Sequence, residues 1–286
     1  MLADLLNKGK EILAASGIED PEREVELIVR YLAGVAPVKI KLLNGVITEK
    51  QYSRCIKAFA CRAEHMPLAY IIGNTEFMGF EIICTPAALI PRQETELLAE
   101  RVIEYLRKQG KQGSACVNVL DIGTGTGCIS VAVAKSVEDV SITAIDVSEE
   151  AAGLAQRNVD AHGLSKRVEV LNYSYEKIVD SGRMFEVIVS NPPYIASGEF
   201  AELQPEVLKE PKLALIAGDD GLKFYRMFSE SIDKLLRNNG IIFVEIGYGQ
   251  EAAVRRVFES VKFVVNSVYN DYNGIPRIME LRKGLR

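Results

Sequence analysis

Through the first 66 residues the apolar positions return with a helical period, and Gly, Pro and capping residues cut them into segments. A helix is predicted from Leu2 to Ala15, stopping at Gly17. Asp20-Pro21 opens a second, with Asp as N-cap, Pro in the first turn, and Glu22, Glu24 and Glu26 near the positive end of the helix dipole; it runs to about Leu32. Thr48-Glu49-Lys50-Gln51 has capping-box spacing, so a further helix runs from there to about His65, and Pro67 stops it. From Leu68 to Cys84 the rhythm changes to short alternating segments. Tyr70-Ile71-Ile72 and Phe80-Glu81-Ile82, punctuated by Gly73-Asn74 and Gly79, read as a β-hairpin.

From about Ala87 onward helical and extended runs alternate, which implies a parallel α/β sheet. Helices are expected at Glu94–Lys108, Cys128–Val137, Ser148–Ala161, Leu222–Arg237 and Gln250–Glu259. Seven strands are expected, at Val117–Leu120, Ile142–Ile145, Val168–Leu171, Phe185–Ser190, Ile241–Ile246, Lys262–Val268 and Arg277–Leu281. Only Asn270-Asp271-Tyr272-Asn273-Gly274 separates the last pair, which is turn chemistry without room for a helix. The seventh strand should therefore insert antiparallel beside the sixth. The predicted organisation is a helical domain over 1–66, a hairpin linker over 67–86 and an α/β domain over 87–286.

Composition narrows the picture. The 286 residues are 48% hydrophobic and 26% charged, enough for a sizeable core in one large or two unequal domains. A net charge of -5 makes nucleic acid a poor main partner, and the helical segment carries ten Lys/Arg against nine Asp/Glu, a balance that favours a protein-facing or structural role. The five cysteines are odd in number, scattered and never spaced C-x-x-C, and they read as reduced thiols without a disulfide or zinc framework. His65 and His162 stand far apart near predicted helix ends and read as surface residues rather than metal ligands or bases. No apolar run approaches the roughly 18 residues of a membrane span. Cytoplasm is the expected compartment.

Two segments carry chemistry. The strand Val117–Leu120 runs into Asp121-Ile122-Gly123-Thr124-Gly125-Thr126-Gly127, and a helix starts at Cys128. A glycine-rich strand-to-helix turn lets a ligand approach the backbone. A dinucleotide fingerprint would place its third glycine at Cys128; the actual spacing, led by an acid, argues against a pyrophosphate. Asp121 would repel phosphate but attract an ammonium group, directly or through water. Asp146, at the end of the next strand, is placed to accept from both ribose hydroxyls, and Ser174 and Tyr175 follow the third strand where adenine could lie. A nucleoside bearing a cationic amino acid is S-adenosyl-L-methionine. The bland alternative is a tight turn with Asp146 as an ordinary helix-start residue.

The second segment is Asn191-Pro192-Pro193-Tyr194, directly after the apolar run Val187-Ile188-Val189-Ser190. It offers an amide oxygen, a stiffened backbone without donors at two successive positions, and a flat ring. That set suits a planar, conjugated NH2 group: Asn191 Oδ1 and the Pro192 carbonyl accept its two protons while Tyr194 stacks on the plane. The competing reading is a strand-end turn, since Asn and Pro are ordinary turn residues. Cys128 reads as a small apolar helix residue and Tyr248 as a strand-end ring. Arg92, Glu94 and Glu96 either shape the cofactor entrance or are solvated charges at a helix start.

With these segments in place the chain resembles the class I S-adenosylmethionine-dependent methyltransferases and, more narrowly, the HemK/PrmC family of release-factor glutamine methyltransferases. The resemblance spans nearly the whole chain. It includes Leu89-Ile90-Pro91-Arg92-Gln93-Glu94-Thr95-Glu96, Tyr70-Ile71-Ile72-Gly73 with Glu76-Phe77, Glu210-Pro211 with Ala214-Leu215, Asp220-Gly221-Leu222, Glu245-Ile246-Gly247 with Gln250, and Asn273-Gly274 with Arg277. Gln93 and Ser174 depart from it, standing where the family commonly has Pro and Asp.

The resemblance implies a seven-stranded Rossmann-like sheet with a small helical domain that docks class I peptide chain release factors. It also implies methylation of the glutamine side-chain amide in their Gly-Gly-Gln motif, with S-adenosyl-L-homocysteine as the other product. Gly123, Thr124, Gly125, Thr126, Gly127, Asp121 and Asp146, with Ser174, Tyr175 and Asn191, would hold the cofactor; Asn191, Pro192, Pro193 and Tyr194 would hold the substrate amide. The leading alternative is an adenine exocyclic-amine methyltransferase acting on DNA or RNA, which faces the same nitrogen chemistry. Against it stand the acidic balance and the lack of a recognisable basic target-recognition domain. A cofactor-binding module without catalysis leaves the donor-free Asn-Pro-Pro-Tyr segment unexplained.

Overall fold

The computed structural model of the chain describes residues 1–110 and 116–284. They divide into two compact units, residues 1–75 with 204–209, and residues 76–203 with 210 onward.

The first unit is helical: α1 (Leu2–Ala15), α2 (Pro21–Ala33), α3 (Pro37–Lys41), α4 (Glu49–Ala63) and α5 (Leu68–Ile72). The punctuation read from the sequence is present. Asp20 accepts from the Arg23 amide at 3.3 Å, and Thr48 and Gln51 exchange a reciprocal capping box. Leu5, Leu13, Val25, Ile28, Val29 and Phe59 form a fully buried core along the facing stripes of α1, α2 and α4. Arg62, on the last turn of α4, is buried among carboxylates: it donates to Glu24 through two nitrogens and to Glu206 at 2.8 Å, and His65 adds a 3.0 Å contact to Glu206.

Tyr70-Ile71-Ile72, expected as a strand, lies in α5. Pro67 supplies the helical φ that starts a turn, and Gly73, left-handed at φ 93°, closes it by donating to the Ala69 carbonyl at 2.8 Å. The hairpin falls immediately afterwards, in β1 (Asn74–Phe77) and β2 (Phe80–Ile83). Met78 and Gly79 both take positive φ, as a two-residue hairpin turn demands.

The second unit continues as α6 (Gln93–Gly110), β3 (Val117–Ile122), α7 (Cys128–Ser136), β4 (Val140–Asp146), α8 (Glu149–Ala161), β5 (Val168–Asn172), α9 (Tyr175–Asp180) and β6 (Phe185–Ser190). After short 3-10 turns come α10 (Lys223–Ser231), β7 (Leu236–Glu245), α11 (Glu251–Glu259), β8 (Phe263–Asn270) and β9 (Pro276–Lys283). The seven strands lie in the order β5-β4-β3-β6-β7-β9-β8, with β9 antiparallel to both neighbours, as the short last turn requires. The pleat separates two cores. Val187 and Val189 point to the face covered by α6 and α7, whereas Ile188 points to the face holding Tyr225, Phe228 and Phe258. Together with the buried strand flanks this is the seven-stranded class I methyltransferase architecture.

Two further local expectations fail. The helix expected to reach Arg237 ends at Ser231, because Leu236 is fully buried and pairs with Phe185 as the start of a ten-residue β7. Tyr175 begins an unexpected short helix, α9, with Ser174 as its N-cap. Among the described residues no helix is long and apolar enough to cross a membrane.

Candidate active site

The chain runs outward from β3 through β4 to β5 and then returns to the other side of β3 as β6. The carboxyl ends of β3 and β6 therefore flank the point where strand order reverses, the place where open α/β sheets bind ligands. A cavity of about 390 Å³ opens there. Its wall brings together Gly123 to Thr126, Asp146, Ser174, Tyr175, Asn191, Pro192 and Pro193, residues spread over some 70 positions of sequence.

The loop after β3 is built on backbone bonds. The amides of Gly123 and Thr124 both donate to the Ile145 carbonyl at 2.9 Å, and Gly127 donates to Thr124 at 2.8 Å. Gly123, Gly125 and Gly127 all take positive φ, and a Cβ on Gly127 would lie 3.2 Å from that of Ala155 on α8. Gly127 thus serves the turn and helix packing rather than the cavity wall.

Asp121 lies within β3, beneath the loop and 1% exposed, and is absent from the cavity wall. Its Oδ2 accepts from Thr124 at 2.7 Å and Ser130 at 2.6 Å, and its Oδ1 has no hydrogen-bond partner, alone among buried side-chain polar atoms of the described residues. Burial pushes its carboxyl up to about 6, against the pull of the Ser130 and Thr124 hydroxyls. Asp146 reaches the wall at the tip of β4. Its two oxygens accept from the Gly125 amide at 2.9 Å and the Ser148 amide at 3.0 Å, and burial again raises its carboxyl above the usual range. A buried acid with one unpartnered oxygen and a second acid on the wall, around a loop with no cation of its own, fit a nucleoside carrying a cationic amino acid and not a pyrophosphate. Ser174 Oγ is engaged in capping α9, and the Tyr175 hydroxyl donates to the Phe228 carbonyl at 3.3 Å. Both residues border the cavity, with only part of their surface free to meet a ligand.

Asn191 sits where β6 ends. Its Nδ2 donates to Thr95 Oγ1 at 2.9 Å, and within the described residues no hydrogen bond is made to its Oδ1. Pro192 and Pro193 follow in the wall without an N–H to offer. Tyr194 is placed differently from its neighbours: its half-buried ring packs on the core under the sheet, and it is not part of the cavity wall. Its carbonyl accepts from Gln250 Nε2 at 2.8 Å while Gln250 Oε1 takes the Gly247 amide at 3.0 Å, so the segment is splinted to the end of β7. Burial holds the Tyr194 hydroxyl well above its ordinary range.

Several contributors were not foreseen as parts of the site. Glu210, 4% exposed, accepts from the Ile90 amide at 2.9 Å and pairs with Arg92, tying two strips of the wall together. Arg92 therefore shapes the cavity, and Glu96 binds the Met78 amide at 2.7 Å instead of standing in solvent. Thr95 stands on the wall beside Asn191, and Glu245 lies behind Thr95. The available signal was Glu245 itself, an acid that closes the apolar run Ile241-Ile242-Phe243-Val244 and is therefore carried into the interior. Cys128 is buried beside the loop, its thiol pushed up to about 12 by burial, and behaves as a small apolar residue.

Comparison with known proteins places these features in a family. A profile described as "PrmC N-terminal domain" matches residues 4–73, and one described as "Methyltransferase small domain" matches residues 93–218. The release factor glutamine methyltransferase of Geobacter sulfurreducens is 37% identical over 95% of this chain and 93% of its own length. That of Chlorobaculum tepidum is 34% identical, covering 96% and 95%. Among solved structures the hMettl16 catalytic domain, in complex with a MAT2A 3'UTR hairpin, superposes with a TM-score of 0.56 at 17% identity, over 84% of this chain and 85% of that one, a likeness of fold.

Proposed function

We propose that this chain, which belongs to the release factor glutamine methyltransferase family, methylates the side-chain amide nitrogen of the glutamine in the Gly-Gly-Gln motif of class I peptide chain release factors. S-adenosyl-L-methionine is the donor and S-adenosyl-L-homocysteine the product. The carrying observation is the Asn191 amide at the cavity wall, with its nitrogen anchored inward and its oxygen bare beside two successive prolines.

An amide nitrogen is a poor nucleophile because its lone pair is delocalised into the carbonyl. Asn191 Oδ1 and the Pro192 carbonyl accept its two N–H groups and favour the pyramidal nitrogen that develops as the new bond forms. Pro192 and Pro193 keep competing donors out of the position that the substrate NH2 must fill. When bound, the cofactor supplies a sulfonium methyl, the electrophile. Gly123 to Thr126 and Asp146 would hold it and Asn191 would hold the substrate amide, all of them on the wall of one cavity. The nitrogen gains a methyl and becomes cationic, an N-methylated amide cation is strongly acidic, and its surplus proton passes to water. No residue is required as a base.

The helical first unit is proposed to dock the release factor, a reading supported by the family match over residues 4–73. A cytoplasmic setting belongs to the same proposal and agrees with five cysteines that form no disulfide among the described residues. Mass spectrometry of a co-expressed release factor tests the activity: one added methyl on the Gly-Gly-Gln glutamine is expected. Labelled cofactor that marks duplex DNA and leaves the release factor unlabelled would overturn it.

A further inference from the structure

An asparagine carboxamide can be turned end for end with almost no change in shape, yet the proposed chemistry works with only one of the two orientations. With Oδ1 outward, Asn191 accepts from the substrate NH2; with Nδ2 outward, it sets a donor against a donor. The orientation must be fixed by a neighbour whose own polarity is fixed.

Ser190 of β6 pairs with Val244 of β7, so Asn191 and Glu245 leave adjacent strands at the same level. Thr95, in the first turn of α6 and 3% exposed, lies between their side chains. Its Oγ1 is 2.8 Å from Glu245 Oε2 and 2.9 Å from Asn191 Nδ2. A hydroxyl has one proton. An ionised carboxylate only accepts, so that proton goes to Glu245 and the hydroxyl presents lone pairs to Asn191. Asn191 must then turn its NH2 inward and its oxygen toward the cavity. The Thr95 bond is the one hydrogen bond made by the Asn191 side chain within the described residues, so nothing else there distinguishes the two orientations.

We infer that Thr95 and Glu245 are positioning residues that set the polarity of the Asn191 carboxamide and so make it an acceptor for the substrate NH2. The inference rests on the proposed amide methylation for its meaning, though the geometry of the relay stands apart from it.

The relay is reversible by protonation. Were Glu245 to carry a proton, it would donate to Thr95, and the Thr95 proton would turn toward Asn191 and draw Oδ1 inward. The groups facing Glu245 are Glu94 on α6, Arg92 just before it, Arg277 on β9, Tyr194 after β6 and Tyr225 on α10. Burial pushes the Glu245 carboxyl up to about 7, against the Thr95 hydrogen bond; Glu94 raises it and Arg277 and Arg92 lower it. Turnover should accordingly rise with pH through about 7, although neither the sulfonium nor a glutamine amide titrates there.

The test uses the full chain carrying 15N-labelled asparagine. Thr95→Val removes the hydroxyl and keeps the shape; Thr95→Ser keeps the hydroxyl. In the wild type the two Asn191 side-chain amide protons should be widely separated in shift and exchange slowly, and in Thr95→Val they should collapse toward free-amide values. Turnover on a release factor should fall roughly 3- to 10-fold, the cost of leaving one side chain unfixed, with S-adenosyl-L-homocysteine affinity within about twofold. Thr95→Ser should restore both signals. Retained shifts and turnover in Thr95→Val, or equal failure of Thr95→Ser, would overturn the relay. If Thr95→Val does not fold, the wild-type amide carries the test, and Asn191 amide protons that lack the wide separation and slow exchange sink the inference. A wild type that leaves the release factor unmethylated but shows the fixed amide refutes the proposed function and keeps the relay.

Discussion

Asn191→Ala is the most direct perturbation of the site. The side chain supplies one of two oxygens proposed to hold the substrate nitrogen, and its own nitrogen is committed to Thr95 at 2.9 Å, so the acceptor is fixed before substrate arrives. Loss of one preorganised polar group aimed at developing charge costs roughly 10²–10³ in kcat. Asn191 is half-buried and the Pro192 carbonyl remains, which favours the lower end of that range, about 2.7 kcal/mol. A smaller structural cost accompanies it: the lone pair of buried Thr95 loses its donor, worth about 1 kcal/mol of stability. Cofactor binding should hardly change, because Gly123 to Thr126 and Asp146 are untouched. Steady-state kinetics on a purified release factor, with calorimetric binding of S-adenosyl-L-homocysteine, separates the two effects. A kcat loss below about tenfold, or an affinity loss equal to the kcat loss, would refute the acceptor role.

Asp146→Ala should do the reverse, weakening cofactor binding roughly 10- to 100-fold through loss of the carboxylate and of its bonds to the Gly125 and Ser148 amides; unchanged affinity by calorimetry would remove Asp146 from the site. Gly221→Ala should lower stability by more than about 1 kcal/mol, because φ is +73° and the added Cβ would collide with the Tyr194 carbonyl oxygen; an unchanged denaturation midpoint would refute the close packing. Burial raises the Glu206 carboxyl, but hydrogen bonds from His65 and Arg62 prevail and hold it down to about 2. A lowered folded-state value gives stability that is complete above the unfolded range near 4.5 and is lost as pH falls through about 2. The full displacement corresponds to about 3 kcal/mol, which solvent screening reduces to roughly 1–2. Urea unfolding of wild type and Glu206→Gln should therefore differ at pH 6, approach each other below about 4.5 and converge only as pH falls to about 2, and parallel curves would contradict the assignment.

What the sequence disclosed, and what it withheld, follows from the range of the forces involved. Asp20-Pro21, Thr48 with Gln51, and the seven apolar runs announce their elements because capping and pleat act between near neighbours. Tyr70-Ile71-Ile72 misleads because three apolar residues fit either period, and the decision passes to Pro67 and Gly73 at its ends. Arg237 goes to a strand because Leu236 finds Phe185, some 50 residues away. The site shows the same division. Its loop and its Asn-Pro-Pro-Tyr segment are contiguous and legible, whereas Thr95 to Glu245 and Ile90 to Glu210 are bonds between residues 150 and 120 positions apart. The grouping of residues 204–209 with the helical unit, through Glu206 and Arg62, has no local signal at all.

The acids around the cavity have a common use that explains why the proposed acceptors are neutral. Asp121 binds Thr124 and Ser130, Asp146 the Gly125 and Ser148 amides, Glu210 the Ile90 amide and Arg92, and Glu245 the Thr95 hydroxyl. Each makes at least one hydrogen bond that shapes the protein, Asp121 through one oxygen only. A carboxylate facing the substrate would hold an NH2 group more tightly than Asn191 does, since ionised acceptors make the stronger hydrogen bonds. It would also be a far better nucleophile than an amide nitrogen, and beside a sulfonium methyl it would itself be methylated. An amide oxygen and a prolyl carbonyl avoid that side reaction. They orient the nitrogen with neutral dipoles. The relay through Thr95 obeys the same economy, because it lets a buried carboxylate govern the site from one residue behind the surface that the substrate meets.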